Sequence, residues 1–233
     1  MFKGFKKEAL TLLEEFEQNN TKEYFESKRE LYEKYILNLN KAYVQEMGEM
    51  LQILVPNINA IAKINKSLFK IYRDSRFHPS APIKNKIGII IWQGGGHRMQ
   101  SASFYMHYSP KEVFVATGIR NFKPPLLTTY RDYITNQAKR QELHHILQEL
   151  KTKGYAIPEP KFKRCPRELD CSDSYGYLYK MGAIYAYKTF RPNKTFFSSK
   201  IIDYNFKIYQ DMFKLHQWVY ELTLYQKLAH KIS

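Results

Sequence analysis

Three short apolar runs in the middle of the chain restrict its fold more than any other feature. Ile87-Gly88-Ile89-Ile90-Ile91-Trp92 is β-branched and too short for a buried helix. Ala102 to Tyr108 reads as a second strand and Val113-Phe114-Val115-Ala116-Thr117-Gly118 as a third, with Ser109-Pro110-Lys111-Glu112 as the turn between them. Ser67 to Tyr72 alternates as a further strand would. Strands joined by short turns make an antiparallel meander, here spanning about 67–119.

On either side of the meander the hydrophobic period is helical. Ala9, Leu10, Leu12, Leu13 and Phe16 mark a short amphipathic helix. After the break at Asn19-Asn20, the spacing predicts a helix capped by Asn20, with Glu23 reaching back in a capping box. Tyr24, Phe25, Leu31, Tyr35, Ile36, Tyr43, Met47 and Leu51 sustain it to Pro56, with a bend near Gly48. Pro124-Pro125 suits the first turn of another helix, continued by Leu126, Tyr130, Ile134 and Ala138, and one more spans about Glu142 to Lys151.

Pro158, Pro160 and Pro166 then mark a long irregular connection. A short helix from Tyr175, a strand from Ala183 to Phe190 and a final helix capped by Ser198 or Ser199 complete the chain. Runs of strands segregated from runs of helices predict an α+β fold, an antiparallel β-meander sheet packed against N-terminal and C-terminal helices. The layout is helices at about 5–55, meander at 67–119, helices at 124–152, and connection, strand and C-terminal helix at 155–230. With no linker, repeat or low-complexity run, the 233 residues are expected to form a single domain.

Charge restricts the partners. Lys+Arg number 37 against 22 Asp+Glu, a formal charge of +15 that raises the local concentration of anions. The bland reading of the same numbers is a set of solvated lysine-rich faces. No apolar run approaches the ~20 residues of a membrane helix, and the start of the chain has no secretory apolar core, so no membrane association is expected. Cys165 and Cys171 lack the partner ligands of a zinc site, which points to reduced thiols, no metal and a cytoplasmic setting.

The candidate chemistry lies in Lys70-Ile71-Tyr72-Arg73-Asp74-Ser75-Arg76-Phe77, where two arginines flank one aspartate. A buried arginine is paired with a carboxylate or bound to an anion, and its fork suits phosphate or carboxylate. On alternation Arg73 and Ser75 share one side while Asp74 and Arg76 share the other. One arginine is then a ligand contact at most, and the other a strut. The candidate ligand-binding set is Arg73, Asp74, Arg76, Lys84, Tyr105, His107, Arg131 and Arg164.

Of the histidines, only His107, on one face with Tyr105, is an acid–base candidate, and a hydrogen-bonded structural role is the commoner one. His78, His97, His144, His145, His216 and His230 show no metal-motif spacing. Gly94-Gly95-Gly96 is followed by strand rather than helix, hence a hairpin tip and not a phosphate loop. Three functions follow. The first is an anionic small molecule, phosphorylated or carboxylated, bound in a basic pocket on the sheet. The second, less favoured, is nucleic-acid binding through the basic and aromatic stretch Lys188 to Phe197. The third is a structural or protein-interaction domain whose arginines are internal ion-pair ties. No cofactor or oligomeric state is legible.

Four places resemble one family, the conserved proteins catalogued as domain of unknown function 2461. They are Asn19-Asn20-Thr21-Lys22-Glu23-Tyr24-Phe25, Ile71 to Phe77, Phe104-Tyr105-Met106-His107, and Gly118 leading into Arg131. Lys163-Arg164-Cys165-Pro166 fits a later Lys-Arg-x-Pro pattern, and together these cover about residues 5 to 190. The resemblance implies one full-length domain and names no activity. It also exposes a departure. Where the family carries a Ser-x-Asp-Lys-x-Pro-Tyr-Lys type of loop, this chain reads His78-Pro79-Ser80-Ala81-Pro82-Ile83-Lys84, one residue shorter and without the Asp-Lys pair, so that Lys84 alone matches the trailing lysine.

Overall fold

Five strands make one antiparallel sheet in which spatial order follows chain order: β1 (Ile58–Asn59), β2 (Ile87–Gln93), β3 (Ser103–Tyr108), β4 (Val113–Ile119) and β5 (Ile184–Phe190). The meander and the α+β class are therefore as the sequence predicts. The structure, a computed structural model, describes residues 1–74, 76, 78 and 80–232, with side chains as far as residue 227. Ser75, Phe77, Pro79 and the side chain of His230, all read in the sequence above, lie outside the described residues.

Ser67 to Tyr72 is not a strand of the sheet. It pairs with the β2 side through isolated bridges only, Leu68 with Ile89 and Tyr72 with Ile83, because residues 85 and 86 bend and interrupt the ladder. The chain packs as two compact units, each assembled from three stretches. The first holds Met1–Ile91, Tyr105–Val115 and Thr189–Ile208, and the second Trp92–Phe104, Ala116–Lys188 and Tyr209–Ser233.

In the first unit, α1 (Lys7–Gln18) buries Ala9, Leu12, Leu13 and Phe16 as its spacing predicts. The long helix expected next is broken into α2 (Lys22–Ser27), α3 (Arg29–Tyr32), a π-helical turn over Glu33–Leu37 and α4 (Asn38–Leu51). The break falls at Lys28, whose φ of −109° and ψ of 8° are not helical, and not at Gly48. Gly48 stays inside α4, where Ala60 leaves no room for a side chain. The cap of α2 is Thr21, whose hydroxyl accepts from the Tyr24 N–H at 3.1 Å, so the capping role assigned to Asn20 is corrected. Rings fill the core. Phe5 stacks on Phe196 at 4.7 Å and meets Tyr108 at 4.8 Å, while the Tyr108 hydroxyl donates to the buried Asn40 at 3.1 Å.

In the second unit, α5 (Pro124–Tyr133) stops at Ile134, and α6 (Gln137–Thr152) begins under the Asn136 side chain, which accepts from the Lys139 N–H at 3.2 Å. This cap, unread in the sequence, moves Ala138 from the first helix to the second. The single final helix becomes α7 (Ile201–Asp211), whose residues as far as Ile208 belong to the first unit, and α8 (Phe213–Ile232), parted at Met212. Trp218 of α8 donates its indole N–H to the Lys139 carbonyl at 3.2 Å. His216 lies flat on Phe104 at 4.2 Å with its Nε2 3.0 Å from Gln93. Burial pushes the His216 pKa down to about 3, so the ring is neutral at pH 7. Gly118 has φ +124°, and a Cβ there would meet Tyr185 Cα at 2.7 Å, so this position of β4 admits no side chain.

The cysteines correct a further expectation. Cys165 and Cys171 are joined as a disulfide and not held as thiols, their Cα atoms 6.1 Å apart. The turn closed by the Leu169 N–H on the Pro166 carbonyl at 3.1 Å brings the two ends of this short segment together.

Candidate functional site

The site forms in the first unit, at the neck of the loop that follows Phe69. The Arg73 N–H donates to the Pro82 carbonyl at 2.7 Å and the Lys84 N–H to the Ile71 carbonyl at 2.9 Å, one on each side of the bridge between Tyr72 and Ile83. Asn20, just before α2, grips the same neck through its side chain. Its Nδ2 donates to the Ile83 carbonyl at 2.9 Å and its Oδ1 accepts the Ile83 N–H at 2.7 Å. The amide thus does for Ile83 what a neighbouring strand would do, and Ile83 is fully buried.

A carbonyl oxygen has two lone pairs, and the second one on Ile83 receives Arg73 Nε at 3.1 Å. Asn20, Ile83 and Arg73 form one chain of hydrogen bonds that fixes the plane of the guanidinium. Tying Nε leaves the two terminal nitrogens for other partners. Among the described residues Arg73 forms no ion pair, and its half-buried side chain lines a cleft of about 500 Å³ with Asp74, His78, Lys84, Asn85 and Lys86.

The neighbouring carboxylates are already engaged. Arg76 takes Asp74 bidentately, Nε to Oδ1 at 3.0 Å and Nη2 to Oδ2 at 2.7 Å, while its own N–H donates to Oδ1 at 3.1 Å. The Arg76 side-chain bonds, then the backbone bond, hold the Asp74 carboxyl down at about 2. Glu26 is chelated by Arg29 at 2.6 Å and accepts the Tyr72 hydroxyl at 2.9 Å. These bonds, that of Arg29 first, hold its carboxyl below the usual range. Lys84 Nζ donates to the Lys70 carbonyl at 2.6 Å and so sits across the ribbon that carries Arg73.

Of the residues grouped by sequence, Arg73, Asp74 and Lys84 meet in this cleft, and Arg76 lies beside it on Asp74. Tyr105 and His107 belong to a layer of rings on the sheet. Tyr105 meets Phe69 edge-on at 6.0 Å, while His107 lies flat on Phe114 at 4.8 Å with Nε2 3.3 Å from Glu112. That is the geometry of a packed, hydrogen-bonded histidine. Arg131 and Arg164 belong to the second unit. There Arg131 lies over the Phe162 ring at 4.8 Å with Nε 3.4 Å from the Tyr179 carbonyl, and Arg164 is exposed.

Sequence reasoning misses Asn20, His78, Asn85 and Lys86. Lys86, two residues from Lys84 in a segment already suspected, is the one whose signal was available. It also misses a genuine arginine tie. Arg140 pairs with Asp173 at 2.8 Å and donates to the Tyr179 hydroxyl, with its side chain largely buried. In the basic and aromatic stretch, Phe196 is buried against Phe5, Phe190 meets Tyr204 edge-on at 5.2 Å, and Lys188 lies over Tyr155. Those rings serve packing before they serve bases. Among the described residues no group of three or more His, Cys, Asp or Glu is placed to hold a metal ion, and no helix is long and apolar enough to cross a membrane.

An antiparallel meander flanked by helices defines an α+β protein, in which Arg73, held at the neck of a loop, lines a cleft. The chain belongs to the family described as conserved hypothetical protein (DUF2461), whose profile matches residues 8–218. No curated protein and no solved structure matches it.

Proposed function

We propose that the protein binds a small anionic molecule, phosphorylated or carboxylated, in the cleft lined by Arg73, His78, Lys84, Asn85 and Lys86. One observation carries the reading: the guanidinium of Arg73 is oriented by the Ile83 carbonyl, while Asp74, the carboxylate that lines the same cleft, is engaged by Arg76. A fork with a fixed plane and no carboxylate of its own has the geometry that bidentate recognition of an oxyanion needs. The alternative, that the arginines of this segment are internal ties, describes Arg76 well and Arg73 poorly. Arg73 is tied by one neutral bond, which leaves its charge uncompensated.

The test is calorimetric titration of the protein and of R73A and R73K with inorganic phosphate at low ionic strength. Removal of one charge-assisted contact of about 1.5–3 kcal/mol weakens binding roughly 10- to 100-fold in R73A. R73K retains the charge, loses the fork and falls in between. Unchanged phosphate affinity in a folded R73A would refute the proposal, and a sharp fall in Tm with unchanged affinity would make Arg73 a structural tie. Salt-sensitive binding of a generic oligonucleotide, insensitive to R73A, would favour the nucleic-acid reading instead.

A further inference from the structure

We infer that the Cys165–Cys171 bridge is a site of reversible thiol–disulfide exchange with a dithiol reductant, and that opening it releases one wall of a cleft beside Arg131; the inference is independent of the anion-binding reading above. This cleft, of about 390 Å³, lies within the second unit. It is lined from α5 by Thr128, Arg131 and Asp132, with Thr135 beyond the helix, and otherwise by residues 166–169. All of that second wall lies inside the ring that the disulfide closes.

Little else holds that wall. Before it, the Phe162 N–H donates to the Lys180 carbonyl at 3.0 Å; after it, Asp173 pairs with Arg140 at 2.8 Å and its carbonyl accepts the Gly176 N–H at 3.1 Å. A Cβ on Gly176 would meet Cys171 Cα at 2.5 Å, so the backbone of Cys171 lies against that turn. Between these anchors, and among the described residues, 163–170 form no hydrogen bond or ion pair with any residue outside 163–172. Their bonds are internal: the Leu169 N–H reaches the Pro166 carbonyl at 3.1 Å, and the Asp170 carboxylate accepts the N–H and the hydroxyl of Ser172 at 2.8 and 2.9 Å. The disulfide ties this wall to the anchored Cys171. Opening it leaves residues 163–170 spanning two fixed points with a single backbone hydrogen bond among them, a segment at the low end of local stability.

The bridge is also placed to exchange. Both cysteines are half-buried, and Arg164 and Ser172 beside them are exposed, so an incoming thiolate reaches the sulfurs from solvent. A sequence separation of 6 constrains the unfolded chain less than a bridge across a long loop, so the fold survives reduction. In the exchange a thiolate of the dithiol attacks one sulfur of the bridge and the other cysteine leaves as a thiolate. The second sulfur of the reductant then displaces the first cysteine from the mixed disulfide. Two electrons pass to the protein, the two protons of the dithiol end on Cys165 and Cys171, and the reductant ends as a disulfide.

The experiment follows amide hydrogen exchange of the whole chain before and after treatment with dithiothreitol under native conditions, with the rate of reduction measured in parallel in denaturant. Native reduction is expected within about tenfold of the rate in denaturant, and the reduced protein is expected to keep one cooperative unfolding transition. The Leu169 amide should then exchange about tenfold faster or more, while the Phe162 and Gly176 amides keep their protection, and oxidised dithiothreitol should restore the slow rate. The double variant Cys165→Ser, Cys171→Ser should show the fast Leu169 exchange without reductant. Reduction only in denaturant makes the bridge inert and overturns the exchange site. An unchanged Leu169 rate after reduction overturns the release of the wall. Loss of protection at Phe162 and Gly176 together with Leu169 makes the bridge a support of the surrounding fold and overturns the inference as well.

Discussion

The Asn20 amide gives the most discriminating experiment on how the site is built. Asn20→Ala removes two hydrogen bonds, at 2.9 and 2.7 Å, from the backbone of a residue that is fully buried. Each contributes about 1 kcal/mol net, and the Ile83 N–H left without its acceptor adds about 1 kcal/mol more, for roughly 3 kcal/mol in all. For a chain of this size that lowers Tm by roughly 6–12 °C. The Ile83 carbonyl keeps Arg73 but loses the brace that fixes its direction, so phosphate affinity should also fall, by about three- to tenfold. Thr21→Ala, one residue away, is the control. It removes only the α2 cap, costs about 1 kcal/mol, and should leave phosphate affinity untouched. Thermal unfolding and phosphate titration of the two variants check both halves. If N20A lowers Tm and binds phosphate as tightly as T21A does, Asn20 supports the fold alone and the positioning argument is wrong.

Other perturbations test the second unit. His216, held neutral with a pKa of about 3 against an ordinary 6.5, binds fewer protons folded than unfolded. Its contribution is complete above pH 6.5 and is lost as pH falls toward 3, up to roughly 4–5 kcal/mol. Chemical denaturation at a series of pH values should show that slope, and H216Q should flatten it; an unchanged slope in H216Q assigns the acid sensitivity elsewhere. Gly118→Ala drives a methyl group into the β5 backbone at Ile184 and Tyr185 and should destabilise by more than about 3 kcal/mol, so an Ala variant with a wild-type Tm would contradict the close approach of those strands. Reduction of Cys165–Cys171 opens a ring with a sequence separation of 6 and should lower stability by about 2 kcal/mol on chain-entropy grounds. Scanning calorimetry with and without a dithiol reductant measures it.

What the sequence reveals follows the range of each signal. The β-branched run at Ile87–Trp92 and the turn at Ser109–Glu112 are local, and β2, β3 and β4 appear where they predict. The helix breaks are not legible, because residues 31–37 keep an apolar helical period through a π-helical turn that only hydrogen bonding reveals. Asn20 illustrates the limit for the site. Asparagine before a helix is a good cap, and nothing local shows that its partner lies 63 residues away. The arginine pair separates for a comparable reason: once Asp74 folds back onto Arg76, a segment that alternation would treat as straight becomes a turn, and Arg73 is left to the Ile83 carbonyl.

The bridge between Tyr72 and Ile83 closes the neck of the basic loop. Among the described residues the contacts that aim Arg73 lie at the neck, through Ile83, Pro82 and Asn20. Shortening a span of this length by one residue changes its closure entropy by only ~0.1 kcal/mol. A change of one residue in the length of the chain between residues 74 and 81 is therefore expected to leave the guanidinium of Arg73 where the neck holds it.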